Sequence, residues 1–221
     1  MKKIWLPLLL AALTLACTVI SVPVEPTPEL TAPTAPVSDL PTATALPPTP
    51  APTLPAEQAV LVRAAQAVAA LQAQDLTALA ALVHPNAGLR FSPYAFVSIS
   101  DRVFRPEALP DLLTDPTLYE WGVYDGSGLP ISLTFSGYYA AFVYDQDYAA
   151  APQIGLNQRL GAGNSTDNSQ EFYPGAMVVE YHFPGIDPQY GGLDWRSLRL
   201  VFQQSGGEWY LVGIIHDQWT I

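Results

Sequence analysis

The segment LRLVFQQSGGEWYLVGII at positions 198–215 decides the architecture of this 221-residue chain. The residues before Gly206 and those after Gly207 are rich in types that favour β-strands, and in a strand their side chains would point alternately to opposite faces. Glycine reaches the positive φ angles of a tight turn without steric cost. The segment therefore predicts a β-hairpin with strands at 198–203 and 209–215.

Helical patterns precede most of the strands. Apolar residues recur at helical spacing over 57–83, Asp75 is placed to cap a second helix within that range, and Pro85 ends it. The remaining elements that the patterns predict are short helices at 105–113 and 135–144, the latter opened by Thr134, and strands at 94–99, 118–124, 131–133 and 176–183. Helices first and strands last indicate an α+β fold, with N-terminal helices packed on a curved, mainly antiparallel sheet.

Composition excludes several classes of protein. Apolar residues make up 49% of the chain, enough for a core, whereas 9 basic residues against 20 acidic ones give a net charge of −11. With so few cations no basic stripe can neutralise phosphates, so we expect no nucleic-acid partner. The single cysteine excludes an internal disulfide and a multi-cysteine zinc site.

The N-terminus reads as a secretion signal. Two lysines precede an apolar run at 4–16 that is shorter than the roughly 20 residues of a membrane-spanning helix. The sequence Leu13-Thr14-Leu15-Ala16-Cys17 resembles the lipobox of bacterial lipoproteins. This resemblance implies removal of residues 1–16 and lipidation of Cys17, which would anchor the protein extracytoplasmically to the bacterial cell membrane. The alternative is an ordinary signal peptide followed by an incidental cysteine.

A proline- and threonine-rich segment separates Cys17 from the folded region. Positions 21–55 contain 11 prolines and 7 threonines, a composition typical of an extended or unfolded chain. We predict a stalk within 17–56, with a disordered tail as the alternative, and a single globular domain at 57–221. That domain has 17 acids and 7 arginines, so membrane attachment is expected from the lipid rather than from its surface.

The folded region resembles two groups of proteins. Its helix pair, His84-Pro85 stop and C-terminal hairpin resemble the NTF2-like (SnoaL-like) cone. It is also similar to an uncharacterised group of bacterial envelope lipoproteins, through segments that read RFSPY at 90–94, EYHFPG at 180–185, DWRSLR at 194–199 and GIIHD at 213–217. The first resemblance implies a fold, and the second implies a location in the cell envelope.

Catalytic signatures are missing from the sequence. It has no G-x-S-x-G elbow, no H-E-x-x-H motif and no glycine-rich phosphate loop. We therefore predict no cofactor and no metal site, and assign no catalytic residue.

Polar residues on the predicted strands form the candidate site. Glu180 and His182 share one face of their strand, and Arg199 lies on the polar face of the hairpin. If these faces line one concave sheet, the three side chains converge and suit a polar or anionic ligand. The alternative is an ion pair of Glu180 and Arg199 on a solvated face.

Two further groups are ambiguous in the sequence. A two-residue turn would place Arg196 opposite Asp217, and a slip of one residue would turn Arg196 toward His216. Aromatic residues are dense between 119 and 148, where they suit either a ligand groove or a core.

Three functions are consistent with these observations. The first is a tethered domain that binds an unidentified small molecule, peptide or envelope component. The second is an enzyme in an NTF2-like cone, in which Glu180 and His182 transfer protons. The third is a structural or protein-interaction module, which would expose an apolar patch.

Overall fold

The computed structural model describes residues 54–220. The signal peptide, Cys17 and nearly all of the predicted stalk lie outside these residues. Within the described range, no helix is long and apolar enough to cross a bilayer.

Two helices open the domain. Helix α1 spans Ala56–Gln72 and α2 spans Leu76–Ala80. They separate at Asp75, whose side chain accepts a hydrogen bond from the Ala78 amide at 2.9 Å and so caps α2. The break therefore falls where the sequence predicts it.

The helical segments after α2 are all shorter than α1. Helix α3 spans Phe135–Phe142, and the Thr134 hydroxyl caps it by accepting from the Gly137 amide at 3.2 Å. The helix predicted at 105–113 is instead a pair of 3₁₀ turns at Pro106–Ala108 and Leu112–Thr114. A single helical turn, α4, covers Ser169–Phe172.

Eight strands form a large sheet and a separate hairpin. They are β1 Leu89–Ser92, β2 Arg102–Phe104, β3 Tyr119–Val123, β4 Pro130–Leu133, β5 Gln153–Leu156, β6 Met177–Phe183, β7 Arg196–Ser205 and β8 Glu208–Gln218. The sheet has the order β2-β1-β8-β7-β6-β5, while β3 pairs with β4. Strand β1 runs parallel to β8 and the other neighbours are antiparallel. The predicted α+β class, with N-terminal helices on a curved and mainly antiparallel sheet, is confirmed.

The strand predicted at 94–99 is wrong. This segment is a loop that follows β1, although its residues alternate between buried and exposed as in a strand. Side chains satisfy its backbone instead of a neighbouring strand: Asn168 bonds both the amide and the carbonyl of Val97, and Arg90 donates to the carbonyl of Ser98.

The hairpin of β7 and β8 contains a bulge that the alternating pattern did not predict. Ser205 pairs with Glu208 across the predicted two-residue turn, but the register shifts by one residue beyond Phe202. A bulge places one extra residue in one strand. Arg196 therefore lies opposite Gln218, so the predicted pairing of Arg196 with Asp217 is wrong.

Most of the aromatic residues belong to the core between the helices and the sheet. The Trp121 ring stacks on the Tyr138 ring with centroids 3.8 Å apart, and both residues are buried. Phe135, Tyr139 and Phe142 join the same cluster. Core packing accounts for these rings, whereas Tyr124 remains partly exposed at the surface.

Candidate functional site

Glu180 and Arg199 meet in the middle of the sheet. They lie directly opposite each other on β6 and β7, and Arg199 Nε donates to Glu180 Oε2 at 3.1 Å. Each residue is only 1% exposed. The predicted cross-strand ion pair of Glu180 and Arg199 is therefore confirmed, but its placement on a solvated face is wrong, because both residues are buried.

The carboxylate of Glu180 accepts four hydrogen bonds. The Gly161 amide and the Ser197 hydroxyl donate to Oε1 at 2.8 and 2.6 Å. The Leu160 amide donates to Oε2 at 3.0 Å, alongside the bond from Arg199. Four donors occupy the lone-pair positions of a carboxylate. Glu180 has no remaining position for a substrate proton in this arrangement.

Electrostatics agree with an ionised Glu180. Burial acts to raise the pKa of this carboxyl, but the charge of Arg199 and the donated hydrogen bonds outweigh it. The pKa of Glu180 therefore lies below its ordinary value. A carboxylate held in this state is a poor proton donor at neutral pH.

His182 joins the cluster through Ser197. Its Nδ1 lies 2.8 Å from Ser197 Oγ. Because the Ser197 hydroxyl donates its hydrogen to Glu180, Ser197 Oγ accepts a hydrogen bond from the Nδ1–H group of His182. Burial is the main cause that lowers the pKa of His182, so the ring is neutral at pH 7. Ser197 was not predicted as a site residue, although it shares the face of Arg199 two positions earlier in β7.

Asp217 and Arg159 extend the cluster. Arg199 Nη2 donates to Asp217 Oδ2, and Arg159 Nη2 donates to the same oxygen at 3.2 Å. Asp167 Oδ2 lies 3.7 Å from Arg199 Nη1. Two arginines thus face the three carboxylates of Glu180, Asp217 and Asp167, so an added anion would meet no excess of positive charge. We call these residues, with Ser197 and His182, the polar cluster.

The space beside the polar cluster is small. A cleft of about 180 Å³ lies between Asn157, Asp167, Gln170 and the side chains of Glu180 and Arg199. Ligand pockets typically measure about 300–1,000 Å³. This cleft is therefore below the usual size for a small-molecule site.

A larger opening lies elsewhere, formed by three segments distant in sequence. It measures about 750 Å³, and we call it the tyrosine cleft. Its walls are the loop after β1, the hairpin of β3 and β4, and the loop before α4. The lining includes Tyr94, Phe96, Asp101, Tyr124, Asp125 and Ser165. Neither Glu180, His182 nor Arg199 lines it.

The tyrosine cleft has a firm base. The rings of Tyr94 and Tyr124 both pack against Phe142, at centroid distances of 5.7 and 6.2 Å. The Tyr94 hydroxyl accepts from the Asp125 amide at 3.2 Å, which ties the β3–β4 hairpin to the loop after β1. Two walls of the cleft are thus joined directly.

The polar cluster positions the third wall. Arg159, which bonds Asp217, also donates to the carbonyl of Ser165 at 3.2 Å. The Thr220 hydroxyl donates to the side-chain oxygen of Asn164 at 2.9 Å. The wall at 164–166 is therefore fixed by bonds that begin in the polar cluster and at the end of β8.

The second group of polar residues meets at Asp145. Arg196 Nε and His216 Nε2 lie 3.0 and 3.2 Å from Asp145 Oδ2, and the Tyr148 hydroxyl donates to Oδ1 at 2.7 Å. His216 is fully buried. The group ties the turn after α3 to the ends of β7 and β8, which is a structural role. Among residues 54–220, no three histidine, cysteine, aspartate or glutamate side chains converge to hold a metal ion.

Comparisons with known proteins give only distant likenesses in structure. No protein-family model matches the sequence, and no curated protein matches it. A designed NTF2-like protein is similar with a TM-score of 0.32 and 12% identity, over 72% of this chain and 96% of that chain. A putative calcium/calmodulin dependent protein kinase II association domain from Xanthomonas campestris is similar with a TM-score of 0.31 and 17% identity, over 73% of this chain and 85% of that one. Both are NTF2-like folds, and neither likeness indicates a ligand or an activity for this chain.

Proposed function

We propose that this protein is an extracytoplasmic lipoprotein, tethered to the bacterial cell membrane through Cys17, whose domain binds a small molecule, peptide or envelope component. The observation that carries the proposal is the tyrosine cleft. Its volume of about 750 Å³ lies within the usual range for ligand pockets. Its lining combines aromatic rings with a few polar groups, the usual composition of such a site.

The hydrogen bonds that fill the acceptor positions of Glu180 support a binding function over a catalytic one. A general base needs a free lone pair within reach of the proton that it removes. All four acceptor positions of Glu180 are bonded to protein donors, and the residue is buried. The candidate residues Glu180, His182 and Arg199 therefore serve the site by holding its wall rather than by touching the ligand.

The position of the first described residue is consistent with a tether. Leu54 shares a surface hollow with Glu208 and Trp209, where β8 begins. The cleft wall at Asn164 is bonded to Thr220, just beyond the other end of β8. Since β8 has 11 residues, about 35 Å separates the two ends. Leu54 and the cleft wall at Asn164 therefore lie toward opposite ends of β8.

Lipid attachment is tested with Cys17→Ser. Fatty-acid labelling and cell fractionation of the full chain should show a labelled, membrane-bound wild type and an unlabelled variant in the soluble or secreted fraction. Thr18→Ser, which keeps the cysteine, is the matched control. Persistence of Cys17→Ser in the membrane fraction after a high-salt wash would contradict the lipid anchor.

Ligand binding is tested by thermal unfolding of the full chain in non-ionic detergent. The probes are choline chloride, the disaccharide of N-acetylglucosamine, and triglycine. We expect at least one probe to stabilise the wild type and not Tyr124→Ala. Tyr190, which is 54% exposed and lies outside the cleft, provides the control Tyr190→Ala. Absence of stabilisation by all three, or equal stabilisation of Tyr124→Ala, would count against the cleft as the site.

A further inference from the structure

We propose that the tyrosine cleft selects an organic cation, an alkylammonium group of the kind found in choline. This inference rests on the proposed binding function of the cleft and assigns its ligand class. Three features of the cleft indicate this class: the acids in its lining, a carboxylate oxygen on each acid without a hydrogen-bond partner among the described residues, and exposed aromatic rings.

The lining of the cleft is negative. Among the described residues that form it, Asp101 and Asp125 are the ionisable acids, and lysine, arginine and histidine do not occur. Arg90 lies behind the rim, where its Nη1 donates to the carbonyls of Ser98, Ile99 and Asp101. Its positive charge compensates part of the charge of Asp101, whereas the hydrogen bond to the Asp125 carboxylate comes from the uncharged Gly126 amide. The net charge of −10 at positions 57–221 adds a long-range attraction for cations.

Each acid keeps one oxygen free of hydrogen bonds from the described residues. Asp101 Oδ2 accepts from the Ser92 hydroxyl and the Ser98 amide, and Asp125 Oδ1 accepts from the Gly126 amide. The other oxygen of each carboxylate has no such partner. A neutral ligand would cover these oxygens without compensating their charge, whereas a cation would compensate it.

Aromatic rings line the same cleft as these acids. Phe96 is 56% exposed and Tyr124 is 38% exposed, while Tyr94 is half-buried against the same base. The face of an aromatic ring attracts a cation, and several rings with a carboxylate form the usual cage for a quaternary ammonium group.

The test compares two ligands that differ in charge alone. Isothermal titration of the full chain in non-ionic detergent uses choline chloride and its uncharged isostere, 3,3-dimethylbutan-1-ol. We expect choline to bind about tenfold more tightly, as an exposed cation–aromatic contact together with a carboxylate would give. Asp125→Asn should remove most of this difference and leave the affinity for the isostere unchanged. Asp111→Asn, which makes the same charge change at an exposed site outside the cleft, should retain it.

The outcomes separate this inference from the proposed function. Equal affinity for choline and its isostere, or an effect of Asp111→Asn as large as that of Asp125→Asn, would overturn the cation inference. Binding of the disaccharide or triglycine that depends on Tyr124 would then leave the cleft standing as a site. No binding of any probe would overturn both proposals.

Phosphocholine distinguishes two sources of the cation. If phosphocholine binds with the same affinity as choline, the result would support the site and indicate that the natural ligand is a lipid headgroup. Much weaker binding would also support the site and indicate a free amine, because the phosphate would meet the acids of the lining.

Discussion

Replacing Glu180 by glutamine separates a structural role from a catalytic one. The substitution keeps the shape of the side chain but removes its charge. It also places an NH₂ group where one carboxylate oxygen accepts hydrogen bonds. Two of the four donors around Glu180 then lose their acceptor. The variant therefore disrupts the polar cluster without creating a cavity.

The size of the effect follows from the burial of the pair. Removing one partner of a buried ion pair costs about 3–5 kcal/mol. Arg199 keeps its bond to Asp217 in the variant, so we expect the lower end, about 3 kcal/mol. For a domain of this size each kcal/mol lowers the unfolding midpoint by about 2–4 °C. The expected fall is about 6–12 °C.

The assay is thermal unfolding followed by circular dichroism at neutral pH. Glu171→Gln is the matched control, because Glu171 is exposed and the substitution makes the same chemical change at the surface. Such a substitution should alter stability by no more than about 0.5 kcal/mol. Equal midpoints for Glu180→Gln and Glu171→Gln would refute the reasoning, and would return Glu180 to the candidates for a catalytic role.

Further predictions concern individual positions. Gly161→Ala should destabilise the domain by about 1–3 kcal/mol in urea unfolding, because a Cβ there would lie 2.5 Å from the Trp195 ring; a midpoint at the wild-type value would show that the loop yields freely. Gly137→Ala should stabilise α3 by about 0.5–1 kcal/mol in the same assay, since the nearest neighbouring atoms lie at 3.5 Å, and a loss of stability would contradict this. Asp75→Ala should cost about 1 kcal/mol through the lost helix cap, again by urea unfolding, and no change would mean that α2 does not need it. Because the pKa of Glu180 is lowered in the folded state, its ionised form stabilises the fold above its ordinary pKa, and this stability is lost as the pH falls through the folded value. Urea midpoints should therefore fall less on acidification for Glu180→Gln than for the wild type, and parallel curves would contradict the shift.

Local signals allowed much of the fold to be predicted from the sequence. Asp75 and Thr134 mark helix starts because their side chains bond amides three residues later. Gly206 and Gly207 mark the hairpin because both adopt positive φ angles, 59° and 88°. Alternation along β6 and β7 also predicted the shared face on which Glu180 and Arg199 meet.

Features that depend on distant residues could not be predicted. The bulge in β8 moves Arg196 away from Asp217. Gly213 lies beside the bulge, and a glycine inside a strand indicates a bulge without fixing the register that results. The segment at 94–99 has the pattern of a strand but is held by Asn168 and by Arg90. The tyrosine cleft joins three segments far apart in the chain, so no single stretch of sequence reveals it.

Backbone hydrogen exchange in Glu180→Gln tests most directly whether the polar cluster holds the loop that completes the cleft. The amides of Leu160 and Gly161 donate to Glu180 in the folded domain. We predict that at least one of these two amides, the one left facing the new NH₂ group, loses more protection in the variant than the amides of β8, whose exchange follows the global stability of the domain. Unchanged exchange at Leu160 and Gly161 would contradict the claim that Glu180 anchors this loop.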